Sequence, residues 1–277
     1  MKNVTQNTLL SRIEHFYDLV PRSGAIGEPH GGLTLFLRQG EGWAFYARPT
    51  LGGPAPTVDE VRRVRERQRV LGVPQAFEWV DEVTPTLRAT AEVAGLAVSL
   101  HPLMVLEAFT PVPPPPGARL RFVEAGSERL ADDLAALRAV TGIGFGAPGT
   151  AAGSAGTAER DAAIRLPSPG EVAADRVALH SGALARALHD TADGTVCAGT
   201  YQRAADVVEI VGVATLPAAR RRGLAAALTS GLTQRALDDG AELVFLSAGD
   251  EDVARVYERV GFRRIATACI AEPPSNS

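Results

Sequence analysis

The stretch that decides the fold runs Val213-Ala-Thr-Leu-Pro-Ala-Ala-Arg-Arg-Arg-Gly-Leu-Ala225. A valine-rich segment that predicts a strand, 207–215, leads into it, and an apolar segment that predicts a helix, 224–237, follows it. Gly223 lets the backbone approach a ligand closely, and the free N–H groups at a helix start attract anions. The arginines at 220–222 add positive charge. The stretch therefore predicts a binding site for a pyrophosphate.

Two common phosphate-binding loops do not fit this turn. A Walker loop needs GxxxxGK[ST], and neither the lysine nor the Ser/Thr is present. A Rossmann fingerprint needs GxGxxG at the start of a βαβ unit, which is also absent. The turn resembles the acetyl-CoA loop R/Q-x-x-G-x-G/A of the Gcn5-related N-acetyltransferase (GNAT) superfamily, through Arg220, Gly223 and Ala225. Taken alone, the pattern also fits an arginine-rich helix start packed on a sheet.

A second stretch resembles another part of the same family. Asp250-Glu-Asp-Val-Ala-Arg-Val-Tyr-Glu-Arg-Val-Gly-Phe262 is similar to the family pattern N-x-x-A-x-x-x-Y-x-x-x-G-F. Tyr257, Gly261 and Phe262 match, whereas Asp250 stands where the family usually has asparagine. The two stretches occur in the family's order and at its spacing, with a predicted strand between them. Together they make a chance resemblance improbable.

The resemblance implies an α/β (α+β) architecture, the GNAT fold, with a mixed central sheet flanked by helices. It covers residues from about 119 to 272, with its motifs at roughly 205–265. Alternating strand-like and helix-like segments in this half favour the same architecture. The predicted strands are 120–124, 195–201, 207–215, 242–247 and 262–270, and the predicted helices are 128–140, 170–188, 224–237 and 250–259. The end of the 170–188 segment is left open to a strand, because a turn at Ala192-Asp-Gly194 follows it.

A proline run, Thr110-Pro-Val-Pro-Pro-Pro-Pro-Gly117, predicts a semi-rigid spacer. It divides the chain into a leading domain, 1–110, a linker, 111–117, and the acetyl-CoA-binding domain, 118–277. The leading elements are predicted as a helix at 9–19, a hairpin of strands 33–38 and 43–48, a helix at 58–71 capped by Thr57 and Glu60, a strand at 76–80, a helix at 84–94 and strand structure over 97–109. We interpret this part as a degenerate GNAT-like domain in a tandem arrangement; an unrelated α/β cap is the alternative.

The resemblance implies how acetyl-CoA, the co-substrate, is held. In this family the strand before the loop splays from its neighbour, and the pantetheine arm lies between them. Gly212 is a candidate bulge point, because glycine within a strand often marks one. The implied cofactor-binding residues are Val213, Ala214, Thr215, Arg220, Arg221, Arg222, Gly223, Leu224, Ala225, Ala226 and Asp250.

The implied chemistry is direct attack of a neutral amine on the thioester, which needs a base and an acid. Tyr257 occupies the family's general-acid position. Glu209 is the candidate base, because strand alternation places 209 and 213 on one face unless a bulge at Gly212 inverts the order. Asp206 or a chain of waters is the alternative base.

The Gly/Ala-rich segment Gly142–Gly156 lies where the family places acceptor-binding elements. We predict a loop there. One hypothesis makes it a mobile lid over the acceptor pocket, and the alternative is a disordered surface loop.

Charge and composition narrow the partners. Basic and acidic side chains nearly balance on both sides of Gly117, and the net formal charge is −4, which argues against nucleic acid. No apolar run approaches the roughly 18 residues of a membrane helix. The N-terminal segment lacks the features of a signal peptide, so a cytoplasmic location is expected. Cys197 and Cys269 are interpreted as buried, reduced thiols, and no metal site is predicted.

The expected acceptor is a primary amine of a small molecule. A catalytically lapsed acyl-CoA-binding regulatory protein, or an enzyme acting on a protein amine, remains the alternative. The sequence leaves the acyl-chain preference open, and leaves a homodimer open as well.

Overall fold

A computed structural model describes residues 2–42 and 44–274, and the side chains from residue 6 onward within those ranges. The chain divides into two compact units. The first comprises the residues up to Leu103 together with those from Ile265 onward, and the second is Met104–Arg264. No helix in the described ranges is both long enough and apolar enough to cross a membrane.

The first unit combines helices with two groups of strands. A small antiparallel sheet has the order β1-β2-β3, and β4 pairs antiparallel with the last strand of the chain, β11, through residues 77–80 and 268–271. Its apolar core includes Phe77, Trp79 and Leu87. The elements are α1 Lys2–Arg22, β1 Ala25–His30, β2 Leu33–Arg38, β3 Arg48–Pro49, α2 Val58–Leu71, β4 Phe77–Val80, α3 Leu87–Val93 and β5 Ala97–Leu106.

The predicted strand 33–38 is confirmed as β2, and it pairs antiparallel with Arg48–Pro49. The predicted strand 43–48 and its tight hairpin with 33–38 are wrong. The hairpin instead joins β1 to β2 through the two-residue turn Gly31-Gly32, with His30 opposite Leu33. Gly27 and Pro29 within β1 read as strand breakers in the sequence, but an edge strand tolerates proline. In the second predicted strand, only Arg48 lies in a strand, and Trp43 lies outside the described residues.

The cap of α2 is confirmed. The Thr57 hydroxyl accepts from the Glu60 N–H, and the Glu60 carboxylate accepts from the Thr57 N–H. This reciprocal capping box satisfies two of the backbone donors that a helix start leaves free, which fixes the first residue of α2.

The second unit is built on a mixed sheet, as predicted. Its strands follow the order β10-β9-β8-β7-β6, in which β10 and β9 are parallel and the other neighbours are antiparallel. The elements are β6 Arg119–Phe122, α4 Leu130–Gly146, α5 Thr157–Ala163, α6 Pro169–His180, β7 Leu184–Thr191, β8 Gly194–Ala204, β9 Val207–Thr215, α7 Leu224–Asp238, β10 Leu243–Ser247, α8 Glu251–Glu258 and β11 Phe262–Glu272.

Two local predictions in this unit need correction. The segment predicted as helix 170–188 divides into α6 and β7, because Ser181 and Gly182 end the helix and Gly182 has a positive φ. The predicted loop 142–156 begins as the last turn of α4, and only 147–156 lies between helices. Residues 142–146 are Gly-Ile-Gly-Phe-Gly, and each glycine disfavours a helix by about 1 kcal/mol. Packing on the sheet, with Gly144 against Ala214, selects the helix there.

Helices pack on both faces of this sheet. A Cβ built at Gly144 of α4 would lie 2.7 Å from the Ala214 Cβ, and one built at Gly199 would lie 2.6 Å from a methyl group of Leu228 on α7 and 3.1 Å from Val213. Consecutive side chains of a strand point to opposite faces. Ala214 therefore points to the face that α4 covers, and Val213 to the face that α7 covers.

The proline-rich segment is docked within the second unit. The Thr110 N–H donates to the Val260 carbonyl oxygen, and the Val112 N–H donates to the Ser230 hydroxyl, both at 2.9 Å. Val112 also packs against the core of the unit. The compact division falls inside β5 and β11, away from this segment. The assignment of 1–110 and 118–277 as separate domains stays a prediction.

Candidate active site

A slot opens beside the carboxyl half of β9. The parallel register between β9 and β10 ends at the pair Glu209 and Phe245, whereas β9 continues to Thr215. Residues 211–213 are only half-buried, between the buried Ile210 and the buried Ala214. The divergence of the two strands therefore leaves β9 partly accessible at residues 211–213, as the resemblance implied.

A β-bulge lies in the wall of this slot. Ala198 of β8 faces Ala214 of β9, but two residues further Thr200 faces Val211. One residue of β8, Gly199, thus stands opposite two of β9, and Gly212 adopts φ +64°. The predicted bulge at Gly212 is confirmed. The positive φ is what requires glycine at this position. Crowding does not require it, because a Cβ built there would have no described atom within 4 Å.

The bulge changes which face each side chain occupies. Glu209 faces Gln202 in the register, and the Gln202 Nε2 donates to its Oε2 at 2.8 Å. Because the extra residue shifts the alternation by one, Glu209 lies on the same face as Ala214 and opposite to Val213. Simple alternation would place 209 and 213 on one face, and the bulge at Gly212 inverts that order, which is the exception that the sequence left open. The role of Glu209 as base stays a prediction.

Glu209 is the nearer of the two candidate carboxylates. It is 5% exposed and lies three residues before Gly212, about 10 Å along an extended strand. Asp206 lies in the two-residue turn between β8 and β9, about 20 Å from Gly212 by the same measure. Along β9, Glu209 therefore lies closer to the bulge than Asp206 does.

The turn after β9 forms an anion cradle at the start of α7. A 3₁₀ turn over Pro217–Ala219 is followed by positive φ angles at Arg221 (+64°) and Gly223 (+82°). The first backbone bond of α7 runs from Ala227 N–H to the Gly223 carbonyl oxygen, and no side chain in the described part of the chain caps the helix. The amides of 224–226 precede that bond, so they lack an acceptor inside the helix and suit an anion.

The three arginines of the turn differ in what they contact. Arg221 and Arg222 are exposed, and within the described part of the chain no hydrogen bond or ion pair engages their side chains. Arg220 is half-buried, and burial lowers the pKa of its guanidinium. That guanidinium donates to four backbone carbonyl oxygens, those of Thr215 at 3.3 Å, Ala151 at 3.1 Å, Gly144 at 2.9 Å and Ala147 at 2.5 Å. Only Arg221 and Arg222 are free for an anionic ligand.

Tyr257 is a buried phenol on α8. It is 7% exposed and meets the Phe262 ring edge-on, with centroids 6.4 Å apart. Burial raises the pKa of Tyr257 above its usual value, with a smaller contribution from the nearby Cys197. No described residue hydrogen-bonds to its hydroxyl. Tyr257 is therefore protonated at neutral pH and able to donate to a ligand.

Cys197 and Thr215 line the sheet near Tyr257. They face each other in the β8–β9 register, and the Thr215 hydroxyl lies 3.2 Å from the Cys197 sulfur. Burial raises the pKa of the Cys197 thiol to about 12. The thiol stays neutral, which agrees with its interpretation as a buried, reduced cysteine.

Asp250 is the N-cap of α8. Its carboxylate accepts from the Val253 N–H at 2.7 Å, and the residue is exposed. Asparagine and aspartate cap helices equally well, so the local structure explains the exchange at this position. A contact between Asp250 and the cofactor stays a prediction.

Gln202 hydrogen-bonds to the candidate base but was not among the predicted site residues. The two-residue turn Ala205-Asp206 fixes the hairpin register, so Ala204 pairs with Val207 and Gln202 pairs with Glu209. Counting outward from that turn would have placed Gln202 beside the candidate base.

Comparison with known proteins agrees with this geometry. The model of the Acetyltransferase (GNAT) family matches residues 161–262. No curated protein matches the chain. The chain is similar to a solved GCN5-related N-acetyltransferase from Kribbella flavida, with 24% identity over 97% of this chain and 96% of that one, at a TM-score of 0.70.

Two further solved structures show more distant likenesses. A GCN5-related N-acetyltransferase-like protein from Streptococcus suis is 12% identical over 96% of this chain and 99% of that one, with a TM-score of 0.54. A tandem GNAT protein from the clavulanic acid biosynthesis pathway is 14% identical over 88% and 79%, with a TM-score of 0.48.

The fold and the family match define the class: the protein is an acyltransferase. Residues 161–262 carry its GNAT acetyltransferase domain, and the predicted GNAT fold is confirmed.

Proposed function

We propose that this protein transfers the acetyl group of acetyl-CoA to a primary amine of a small molecule by direct attack. The observation that carries the proposal is the continuity of the slot beside β9 with the cradle of free amides at the start of α7. An extended arm ending in a pyrophosphate fits such a pair of sites. Acetyl-CoA has that shape.

The residues of the cradle suit the cofactor. The backbone of 213–215 borders the slot and can pair with the pantetheine amides, while the amides of 224–226 face the pyrophosphate. Arg221 and Arg222 add charge that no described side chain neutralises. The backbone at the bulge, around Gly212, is available for the oxygen of the thioester as negative charge develops on it.

Tyr257 serves as the general acid. The amine nitrogen forms a bond to the thioester carbon, the carbon–sulfur bond breaks, and the departing sulfur takes the Tyr257 proton. The phenol is protonated over the whole physiological range, because burial raises its pKa. Its hydroxyl is not committed to another described residue, so it is free to turn toward the sulfur.

Glu209 serves as the base. In the proposed mechanism a water between its carboxylate and the amine carries the proton, because Glu209 lies about 10 Å along β9 from Gly212. The hydrogen bond from Gln202 fixes the carboxylate on the α4 face of the sheet. The incoming amine thus loses its proton on one face while the sulfur gains one on the other.

Burial of these two groups supports a small acceptor. Glu209 is 5% exposed and Tyr257 is 7% exposed. An amine must enter the site to reach groups so deep, and a small molecule does so without docking of a protein surface. A free Tyr257 hydroxyl also favours an active enzyme over a lapsed CoA-binding protein.

Residues 1–110 are interpreted as a degenerate GNAT-like domain. The likeness to the Kribbella flavida protein extends over nearly the whole chain, which supports a shared two-part arrangement. The turn after β3 lacks the arginine and glycine pattern of the cofactor turn, so this part does not bind acetyl-CoA in the same way.

Release of the CoA thiol from acetyl-CoA, measured across a panel of small amines and lysine peptides, tests the proposal. We expect turnover with at least one small amine and its loss in Tyr257→Phe. Tight CoA binding with no turnover on any amine would support the lapsed protein instead. Turnover with the lysine peptides but with none of the small amines would show that the acceptor is a protein amine.

A further inference from the structure

Arg220 joins three separate elements of the second unit. Its guanidinium reaches the end of β9 at Thr215, the last turn of α4 at Gly144 and Ala147, and the following loop at Ala151. The carbonyl groups at a helix end have no partner inside the helix and carry partial negative charge. The planar fork spreads five N–H donors over three nitrogens, so it reaches carbonyl groups on different sides of the side chain, whereas an ammonium group has its three donors on one nitrogen.

The loop is fastened to the cofactor turn a second time, by backbone bonds. The Gly153 N–H donates to the Pro217 carbonyl oxygen at 3.2 Å, and the Ala218 N–H donates to the Ala155 carbonyl oxygen at 2.9 Å. These bonds attach the segment 147–155 to the 3₁₀ turn that precedes the anion cradle. They are independent of the Arg220 side chain.

The same segment passes close to α8. A Cβ built at Gly149 would lie 3.9 Å from the Asp250 carboxylate, at the cap of the helix that carries Tyr257. The segment therefore borders the cofactor turn, at 147, 151, 153 and 155, and also the start of α8, at Gly149.

We propose that Arg220 is a positioning residue that holds segment 147–155 against the cofactor turn, making this segment a fixed wall of the site. The three arginines of the turn thus have different roles. Arg220 binds the protein's own carbonyl groups, and Arg221 and Arg222 remain available for the ligand. Only the identity of that ligand rests on the proposed function. The contacts that hold segment 147–155 do not depend on which ligand binds.

Amide hydrogen exchange on the full-length protein tests the proposal directly. In Arg220→Gln, which removes the charge and most of the donors, we expect exchange in peptides covering 147–155 to rise about tenfold. Arg220→Lys keeps the charge but not the fork, and should lie between Arg220→Gln and the wild type. Arg222→Gln is the matched control in the same turn and should leave this exchange unchanged.

Calorimetric titration with CoA itself gives the second readout. Arg220→Gln should change the CoA dissociation constant by less than about threefold, whereas Arg222→Gln should weaken binding about tenfold. In the wild type, CoA should slow exchange in 147–155 further, and Arg220→Gln should abolish that coupling. A structural role alone would not remove the coupling while leaving the affinity intact.

Three outcomes would overturn the proposal: unchanged exchange in Arg220→Gln, exchange in Arg220→Lys indistinguishable from the wild type, or a loss of CoA affinity in Arg220→Gln as large as that in Arg222→Gln. If Arg220→Gln does not fold, the exchange of Arg220→Lys decides alone. If CoA fails to bind the wild type while Arg220→Gln still loosens 147–155, the proposed function falls and the role of Arg220 stands.

Discussion

The Nε2 of Gln202 lies 2.8 Å from the Oε2 of Glu209, across the β8–β9 hairpin. The two residues are paired in register, and Glu209 is buried. A buried carboxylate with a fixed amide donor keeps one orientation, which a base acting through a water requires.

Replacing either partner should lower the rate of transfer. We expect Glu209→Gln to reduce kcat about a hundredfold or more, because it removes the proton acceptor. Gln202→Ala should reduce kcat about tenfold, because the carboxylate loses its fixed donor. Steady-state kinetics on the best amine would measure both. Gln234→Ala, which removes a surface amide bonded to Asp238, is the control and should leave kcat unchanged.

Tyr257→Phe should reduce kcat by about two to four orders of magnitude while leaving the CoA dissociation constant unchanged. The wild-type rate should show no alkaline decline from this phenol below about pH 10, because burial raises its pKa above the usual value. Tyr201→Phe is a matched control. It removes a buried hydroxyl that donates to Asp239 at 2.5 Å, and should lower stability by about 1–3 kcal/mol without changing kcat. Equal rates for Tyr257→Phe and the wild type would remove Tyr257 from the mechanism.

The double substitution of Arg221 and Arg222 by glutamine should raise the KM for acetyl-CoA about tenfold or more at low salt. The difference from the wild type should shrink as ionic strength rises, because these side chains are exposed. Arg62→Gln on α2, which removes an exposed ion pair with Asp59, is the control. A salt-independent KM difference would contradict an electrostatic contact.

Gly261→Ala should destabilise the protein strongly. Gly261 has φ +103°, and a Cβ there would lie 1.8 Å from the Ala108 carbonyl oxygen. Gly240→Ala shares the positive φ but meets no atom within 4 Å. Denaturant unfolding should give a loss of about 1 kcal/mol for Gly240→Ala and about 3 kcal/mol or more for Gly261→Ala. Similar losses of stability in the two variants would show that the backbone at Ala108 moves to accommodate the new methyl group.

His189 should make stability depend on acid pH. It is fully buried, neither ring nitrogen hydrogen-bonds to a described residue, and burial lowers its pKa from 6.5 to about 4. The unfolded chain therefore binds more protons between those values, and the free energy of unfolding should fall as pH drops from 6.5 to 4. His189→Leu should flatten this dependence, whereas His15→Gln at an exposed site should not. An unchanged slope in His189→Leu would assign the dependence to other groups.

Much of the catalytic half could be predicted from local patterns. The bounds of β9 and the start of α7 followed from the valine run, the arginines and Gly223, since each is a short-range preference of the backbone. The first unit was harder to predict. Its hairpin lies at Gly31-Gly32 and includes a proline-containing edge strand that only sheet pairing stabilises.

The sequence by itself determined the class of this protein, because the anion cradle and the Tyr257 helix are each formed by contiguous residues. Their order and spacing are visible in the sequence alone. The tertiary structure decided which side chains meet. It showed the parity shift that places Glu209 on the α4 face, the burial that keeps Tyr257 protonated, and the capture of Arg220 by carbonyl groups far away in the chain. Those contacts depend on the packing of distant segments, which no local pattern specifies.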